Sequence, residues 1–245
     1  MPTFIHGKSS KVMISGYDAS ASIMSATASG QVETADVTCF GQSDKAYIVG
    51  LADATISAEG VYSGGTAEAD EYLTALLGGT AIVWSLYEGG DTFGNPGFAL
   101  PGVSSKYEVN VSNSDAVKFS AETTSGPGNV AVDRVLSLRA AAAATGTAAG
   151  SNLDGGAAAS NNGWAAYVHV ISGTCAAGTC IVEHSVDGST SWATLATFTF
   201  AGTAASTGGI GAQYAVGTGT VRRYVRHNLT GLTGTVNFQV GFARR

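Results

Sequence analysis

The sequence predicts a mainly-β chain: a first β-sandwich or barrel unit with one short α-helix, followed by a second all-β, sandwich-like unit. Three observations carry this. Ala52, Ala54, Ile56, Ala58 and Gly60 alternate with Asp53, Thr55, Ser57 and Glu59, the period of a half-buried strand, and similar alternations recur to the end of the chain. Only 67–77 reads as a helix. The basic residues are also segregated: residues 1–125 hold five Lys, no Arg and fourteen acids, a net −9, whereas 126–245 hold seven Arg, no Lys and four acids, a net +3. Such a division argues for two units, placed at 1–139 and 164–245, with a Gly/Ala-rich linker or loop at 140–163.

In chain order, Val12 and Ile14 mark a short strand, and the rest of 1–29 reads as an arm or loop. The stretch 32–62 follows, VETADVTCFGQSDKAYIVGLADATISAEGVY, extended from Glu33 to Phe40, broken at Gly41-Gln42-Ser43-Asp44 and then resumed as a strand. In the predicted helix Thr66 is the expected amino-terminal cap, Glu68, Asp70 and Glu71 complement the dipole, and Gly78-Gly79 ends it. Leu73, Leu76 and Leu77 share its apolar side. Residues 81–87 form a strand, and the Gly/Pro-rich 88–104 is expected as a long loop. Tyr107 to Val111 and Val117 to Ala121 alternate about Asn113-Ser114, a hairpin signal. Residues 131–139 give another strand.

The second unit reads as strand after strand. Residues 164–171 and 179–185 flank 173–178 as a hairpin, 192–200 follow, a Gly/Thr-rich loop runs to Thr220, and 221–229 and 235–243 finish the chain. Val236, Phe238, Val240 and Phe242 fall on one face of the last run, with Thr235, Asn237 and Gln239 on the other.

The stretch 32–62 also carries a resemblance. An acidic-threonine strand, a short turn and a Gly-Leu-x-x-Ala-x-Ile-Ser strand closing on Gly-Val-Tyr resembles the core of the tail tube (major tail) proteins of long-tailed bacteriophages. The likeness continues to about Arg139, and the second half is similar to a companion β-domain of such proteins. It implies a tail-tube-type β fold and a structural virion protein, assembled in the bacterial host cytoplasm into the virion tail. Its partners would be copies of itself and other tail proteins. Six modules close a ring in this family, so the rings would be homohexamers, or trimers of tandem modules, stacked around a lumen through which DNA passes during ejection without specific binding. The resemblance also gives the 88–104 loop a reach toward the adjacent ring.

An acidic lumen would repel phosphate, and two stretches offer acids for it: Glu33, Asp36, Asp53 and Glu59 in one, Glu108, Asp115 and Glu122 in the 107–122 hairpin. A hairpin exposed to solvent would read identically. Arg222, Arg223, Arg226, Arg244 and Arg245 concentrate basic charge near the carboxyl terminus, where they would face a neighbour's acidic unit or simply solvent. Cys175 and Cys180 bracket the expected hairpin loop and are either a cross-strand disulfide or two buried thiols, while Cys39 reads as core. His169 and His184 would share a face of that hairpin, without the third ligand that a metal needs.

Composition narrows the function further. Only 12% of residues are charged, which suits a surface covered by neighbouring subunits. The acidic first half opposes tight nucleic-acid binding. No apolar run of about 18 residues would span a bilayer, the first residues do not read as a signal peptide, and three cysteines are not a secreted framework. No nucleophile elbow, phosphate loop or zinc motif is present, so no enzyme activity, cofactor or metal is expected. Ser185-x-Asp187-Gly188-x-x-x-Trp192 is similar to turns of β-sandwich domains that bind carbohydrate or cell surfaces, which leaves a binding module open as an alternative. Capsid decoration is another.

Overall fold

The structure, a computed structural model, describes residues 7–41, 43–66, 68–126, 131–156, 160–203 and 211–245. A 3-10 turn (Gly7–Ser9) precedes β1 (Lys11–Ile14), β2 (Tyr17–Asp18), β3 (Ile23–Asp36) and β4 (Tyr47–Val61). Then come α1 (Ala69–Leu76), β5 (Ile82–Tyr87), β6 (Pro96–Asn110), β7 (Lys118–Ser125) and β8 (Asp133–Ala144). The chain ends with β9 (Ala148–Ala149), β10 (Leu153–Asp154), β11 (Trp164–Ser185), β12 (Ala193–Thr203), β13 (Ala212–Gly217) and β14 (Tyr224–Arg244). The mainly-β class with one helix is what the alternation predicts.

All fourteen strands belong to one sheet, ordered β12-β11-β14-β8-β6-β5-β1-β2, with β7, β4 and β3 branching in succession from β6. Every pairing is antiparallel. Several sequence expectations change here. Ile23–Ser29, read as arm or loop, is the first half of β3, because its small residues pair with 55–60 of β4. The long loop shortens to 88–95, since Pro96 to Ser104 are strand, and the Asn95 amide donates to the Gly89 and Gly90 carbonyls. Part of the Gly/Thr-rich loop is strand β13; residues 204–210 lie outside the described ones.

The largest correction concerns the expected hairpin at 164–185. β11 is a single 22-residue strand, and it pairs with the equally continuous 21-residue β14 from Trp164↔Arg244 to Ser185↔Tyr224. Register shifts at Val170/Ser172, Cys175/Ala177 and Ala177/Thr179 bend this ladder, because an extra residue on one strand kinks it and raises its twist. Gly173 (φ 110) and Gly234 (φ 117) stand at the bend; a Cβ would lie 2.2 Å from the Thr235 oxygen at the first and 2.4 Å from the Thr174 oxygen at the second. Glycines that sequence reading assigned to a turn therefore fold a ladder over. Both halves then bury apolar side chains in one core, where Val168, Phe238 and Val240 meet Val182, Val225 and Leu229. Phe198 and Phe200 of β12 join it, with the Phe200 and Phe238 rings 5.3 Å apart.

A second core lies in the first unit, where Leu73 and Ala69 of α1 cover Ile56, Ala58, Trp84, Leu100 and Phe119. The helix is capped by Glu68, not Thr66: Glu68 has extended backbone, makes no side-chain cap bond, and accepts from Ser63 Oγ at 2.6 Å. Leu77 is the carboxyl-terminal cap and half exposed, with Gly78 (φ 76) ending the helix as expected. Gly60 shows how tightly this core closes, since a Cβ there would sit 2.1 Å from the Ser22 oxygen and 2.9 Å from the Phe119 ring. Gly60→Ala is expected to lower the unfolding free energy by about 1–3 kcal/mol, checked by a lower urea midpoint with unchanged slope.

A third, smaller cluster joins the two cores. Along β11, Ala166, Val168 and Val170 face the second core while Ala165 and Tyr167 pack with Val83, Tyr87, Ala99 and Val135 of the first unit. His169 continues that second face. The run 164–170 is buried on both sides, which explains its nearly unbroken apolar reading. Within 140–163, Ala140–Ala144 complete β8, and β9 and β10 pair along β14.

Candidate functional site

Strands β3, β4, β7 and β6 form a four-stranded antiparallel module with two dissimilar faces. Partners opposite each other in an antiparallel pair point to the same side. Ser25, Glu59, Ser120 and Glu108 make one row across the four strands, and Thr27, Ser57, Glu122 and Lys106 make the next. Behind them Ala26, Ala58, Ala121 and Tyr107 make the buried row. The module therefore has an apolar back on α1 and β5, and a polar front.

That front gathers four of the seven predicted acids. Glu59, Glu108 and Glu122 stand on it, and Asp53 shares it by alternation along β4, accepting from Ser125 Oγ at 2.8 Å. Lys106 lies among them, 2.8 Å from Glu108, whose carboxyl it holds below the ordinary range through a hydrogen bond and its charge. The other three lie elsewhere. Asp115 belongs to the β6–β7 turn and pairs with Lys118 at 2.5 Å. Glu33 and Asp36 sit on the distal β3–β4 hairpin, where Asp36 caps Thr38.

The module also has two open edges. Among the described residues β3 pairs only with β4, and beyond Ser104 the outer side of β6 has no strand against it. β3 and β4 then run on past the core as an arm. Residues 47–51 of β4 are all exposed, and burial begins only at Ala54. The sequence reads here as a strand resumed after a break, without its apolar exposure; the signal was the unalternated Tyr47-Ile48-Val49-Gly50-Leu51, which no single buried face can absorb. Cys39, expected in the core, is exposed on the arm.

The five arginines expected to face a neighbour all have partners in their own chain. Arg223 grips both oxygens of Asp154 at 2.8 and 2.7 Å, which brings that carboxyl down to about 2. Arg226 lies 2.5 Å from Glu183 and stacks 3.9 Å above Trp192. Arg244 donates to the carbonyls of Val221, Arg222 and Arg223, Arg222 to that of Ser191, and Arg245 to both oxygens of Asp133. The folded ladder brings acids of β10, β11 and β8 beside Arg223, Arg226 and Arg245, an arrangement that charge counting along the chain cannot see.

Of the two readings of Cys175 and Cys180, the structure has the buried thiols. Cys175 and Cys180 lie on one strand, paired with Gly234 and Leu229 of β14, and both thiols are free and buried. Burial pushes Cys180 up to about 12.

The histidines are structural. His169 lies in the seam between the units, and its Nδ1 accepts the Gly16 backbone N–H at 3.3 Å; the ring proton is therefore on Nε2, 2.8 Å from Ser85 Oγ. This is the reverse of a nucleophilic pair, in which Nε2 must accept from the serine and a carboxylate must hold Nδ1–H. Ser85 and His169 are fully buried, which also closes the pair to substrate. His184 accepts the Arg222 N–H at 3.1 Å, and His227 Nδ1 lies 3.2 Å from the Leu138 carbonyl. No group of three metal-ligating side chains occurs among the described residues.

In the 185–192 turn Asp187 accepts from Ser185 Oγ and from the Ser189 and Thr190 N–H groups, so its carboxylate holds the loop. Arg226 covers the Trp192 ring.

No protein-family model and no curated protein matches the chain. Among solved structures it is similar to a chain of the virion of the native gene transfer agent particle, at 17% identity and TM-score 0.41 over 52% of this chain and 97% of that one. It is similar to a chain of the tail of the empty gene transfer agent particle, of C6 symmetry, at 16% identity and TM-score 0.35 over 44% of this chain and 80% of that one. It is also similar to the SPP1 Dit (gp 19.1) protein, described as a paradigm of the hub adsorption apparatus in phages infecting Gram-positive bacteria, at 11% identity and TM-score 0.38 over 96% of this chain and 98% of that one.

Proposed function

We propose that this chain is a structural virion protein whose copies join side by side into rings, and that the rings stack into a phage tail tube. The observation that carries this reading is the pair of open edges on the module. Its strand order β3-β4-β7-β6 is antiparallel throughout, so β3 and β6 run in opposite directions. The β3 edge of one copy laid against the β6 edge of the next continues the same antiparallel ladder. Such a contact joins two different surfaces, and it closes into a ring when the rotation between copies divides a full turn. Left uncovered, both edges are templates for indiscriminate pairing.

Closed this way, the polar front forms a continuous lining. Asp53, Glu59, Glu108 and Glu122 give it a negative balance against Lys106 and Lys118, which weakens attraction to phosphate and lets DNA pass. The described residues contain one such module per chain, which favours six copies per ring, with the folded β11–β14 unit as an accessory on the outside. Electron micrographs of the purified protein at rising concentration test this: rings or tubes are expected, and a monomer at every concentration overturns it. Glu59→Lys with Glu108→Lys and Glu122→Lys is expected to leave ring formation intact while making assembled tubes retain DNA at low salt, released as salt rises. Absence of DNA retention in a mobility assay would remove the front face from the bore.

A further inference from the structure

The two large cores share no residue, and the seam between them carries a row of buried polar groups. From the first unit, Ser85 of β5 and its cross-strand partner Met13 of β1 face the seam. From the second unit come Ala212, His169 and Gln239, which stand side by side on β13, β11 and β14.

The β1–β2 turn reaches across this seam. Ile14 pairs with Tyr17, and the two residues between them, Ser15 (φ 47) and Gly16 (φ 92), are both left-handed, the turn that tight hairpins favour. Ser15 N–H donates to the Val83 carbonyl at 2.7 Å, which fixes the turn on its own unit. Its other side is pressed against the backbone of the second unit. A Cβ on Gly16 would lie 2.7 Å from the Val170 oxygen and 3.1 Å from Gly211, and a Cβ on Gly211 would lie 3.0 Å from the Ser15 oxygen. Glycine faces glycine, so backbone meets backbone with no side chain between. Across this contact Gly16 N–H donates to His169 Nδ1 at 3.3 Å, and behind it Val170 N–H donates to the Gly211 carbonyl at 3.2 Å.

Of these bonds only the one to His169 depends on a proton. The neutral ring accepts at Nδ1 and meets Ser85 Oγ at 2.8 Å through Nε2. A second proton turns Nδ1 into a donor aimed at the Gly16 N–H, so two donors meet with no acceptor between them. The groups around the ring do not offset that charge. Ser85 and Tyr87 face it from β5, Met13 from β1, Ala212 and Tyr214 from β13, and Gln239 from β14. The charged groups of this face are engaged elsewhere: Asp133 holds Arg245 and the Tyr167 hydroxyl, and the Asp91 carboxylate, near Tyr87, accepts the Ala141 N–H.

We infer that the Ser15–Gly16 turn is an acid-released latch: a proton on His169 drives the turn from its seat and opens the seam while each unit keeps its own core. Strand pairing passes from one unit to the other through β8, whose residues 133–136 pair with β6 and 136–144 with β14. β8 is then the hinge of the opened chain. Opening along the seam exposes less apolar surface than unfolding either core, which makes it the cheaper event.

Amide hydrogen exchange of the whole chain at about pH 7 and about pH 4.5, corrected for intrinsic rates, tests this. The Gly16 and Val170 amides are expected to lose roughly fiftyfold to a hundredfold of their protection in acid, the ratio for a histidine whose pKa falls from 6.5 to about 3 when the latch is seated. Ala58 and Ala121, in the first core, are expected to change by less than about threefold, and Leu229, in the second, to stay better protected than both latch amides. In His169→Gln the latch amides are expected to hold within about threefold, because the amide oxygen accepts the Gly16 N–H at either pH. An acid loss that survives His169→Gln overturns the inference. Should that variant not fold, the parent alone decides: equal protection of Gly16, Val170 and Leu229 at about pH 4.5 means that seam and core open together, and overturns it.

Discussion

Replacing Asp133 with alanine is expected to lower the unfolding free energy by about 2–4 kcal/mol, a large share of what holds a chain of this size folded. Asp133, at the start of β8, accepts a hydrogen bond from the buried Tyr167 hydroxyl of β11 and a bidentate pair from Arg245 at 2.8 and 2.8 Å. Burial and the neighbouring Asp133 charge both raise the Tyr167 hydroxyl, so it stays a donor at any physiological pH. Alanine leaves that hydroxyl buried without an acceptor and the guanidinium without its partner, the costly way to break such a network. The figure lies below that of a fully buried pair because about a third of the Arg245 side chain remains in water. A shift of the urea midpoint at constant slope measures it. A change under about 0.5 kcal/mol would mean that apolar packing in the seam, not this network, joins the two units.

Acid is expected to weaken the fold through the histidines, most of all through His169. Burial lowers its pKa to about 3 in the folded chain, against an ordinary 6.5. His227 is lowered to about 4, by burial first and by Arg139 second, and His184 is lowered for similar reasons. A histidine depressed on folding binds its proton more readily in the unfolded chain, so its stabilising share is complete above pH 6.5 and falls away as the pH drops toward the folded pKa. Each such histidine contributes a slope of about 1.4 kcal/mol per pH unit inside its window. His169→Gln, which keeps an acceptor and a donor in the seam, is expected to remove one histidine's worth of slope between pH 6 and about 4. An unchanged slope would show that His169 reaches water and titrates normally. The exposed Asp154, lowered to about 2 by Arg223, acts in the same direction but only at lower pH, from about 3.8 downward.

Both effects act at the seam, which was only half legible in the sequence. The alternation of Val236, Phe238, Val240 and Phe242 with Asn237 and Gln239 sorts the faces of β14 correctly. It says nothing about what the second face meets. Gln239 is fully buried, and its amide donates to the Tyr87 hydroxyl at 2.5 Å; a residue that reads as solvent-facing packs against the first unit. The β6–β7 hairpin was legible because its turn and both alternating runs are local. The β11–β14 ladder was not, since Gly173 and Gly178 look the same whether the chain reverses there or bulges and continues.

From the sequence by itself came the β class, the single helix between Thr66 and Gly78, the absence of catalytic motifs, and the placing of Asp53 and Glu59 on one side of a strand. These follow from periodicity and local propensity, which act over a few residues. The tertiary structure decided which strands are continuous, which acids share the polar front, which partners hold the arginines, and that the β3–β4 hairpin becomes a protruding arm. The reason is physical: a two-residue period states which side chains travel together, while the identity of what they touch depends on pairings up to 153 residues apart, as between Gly16 and His169.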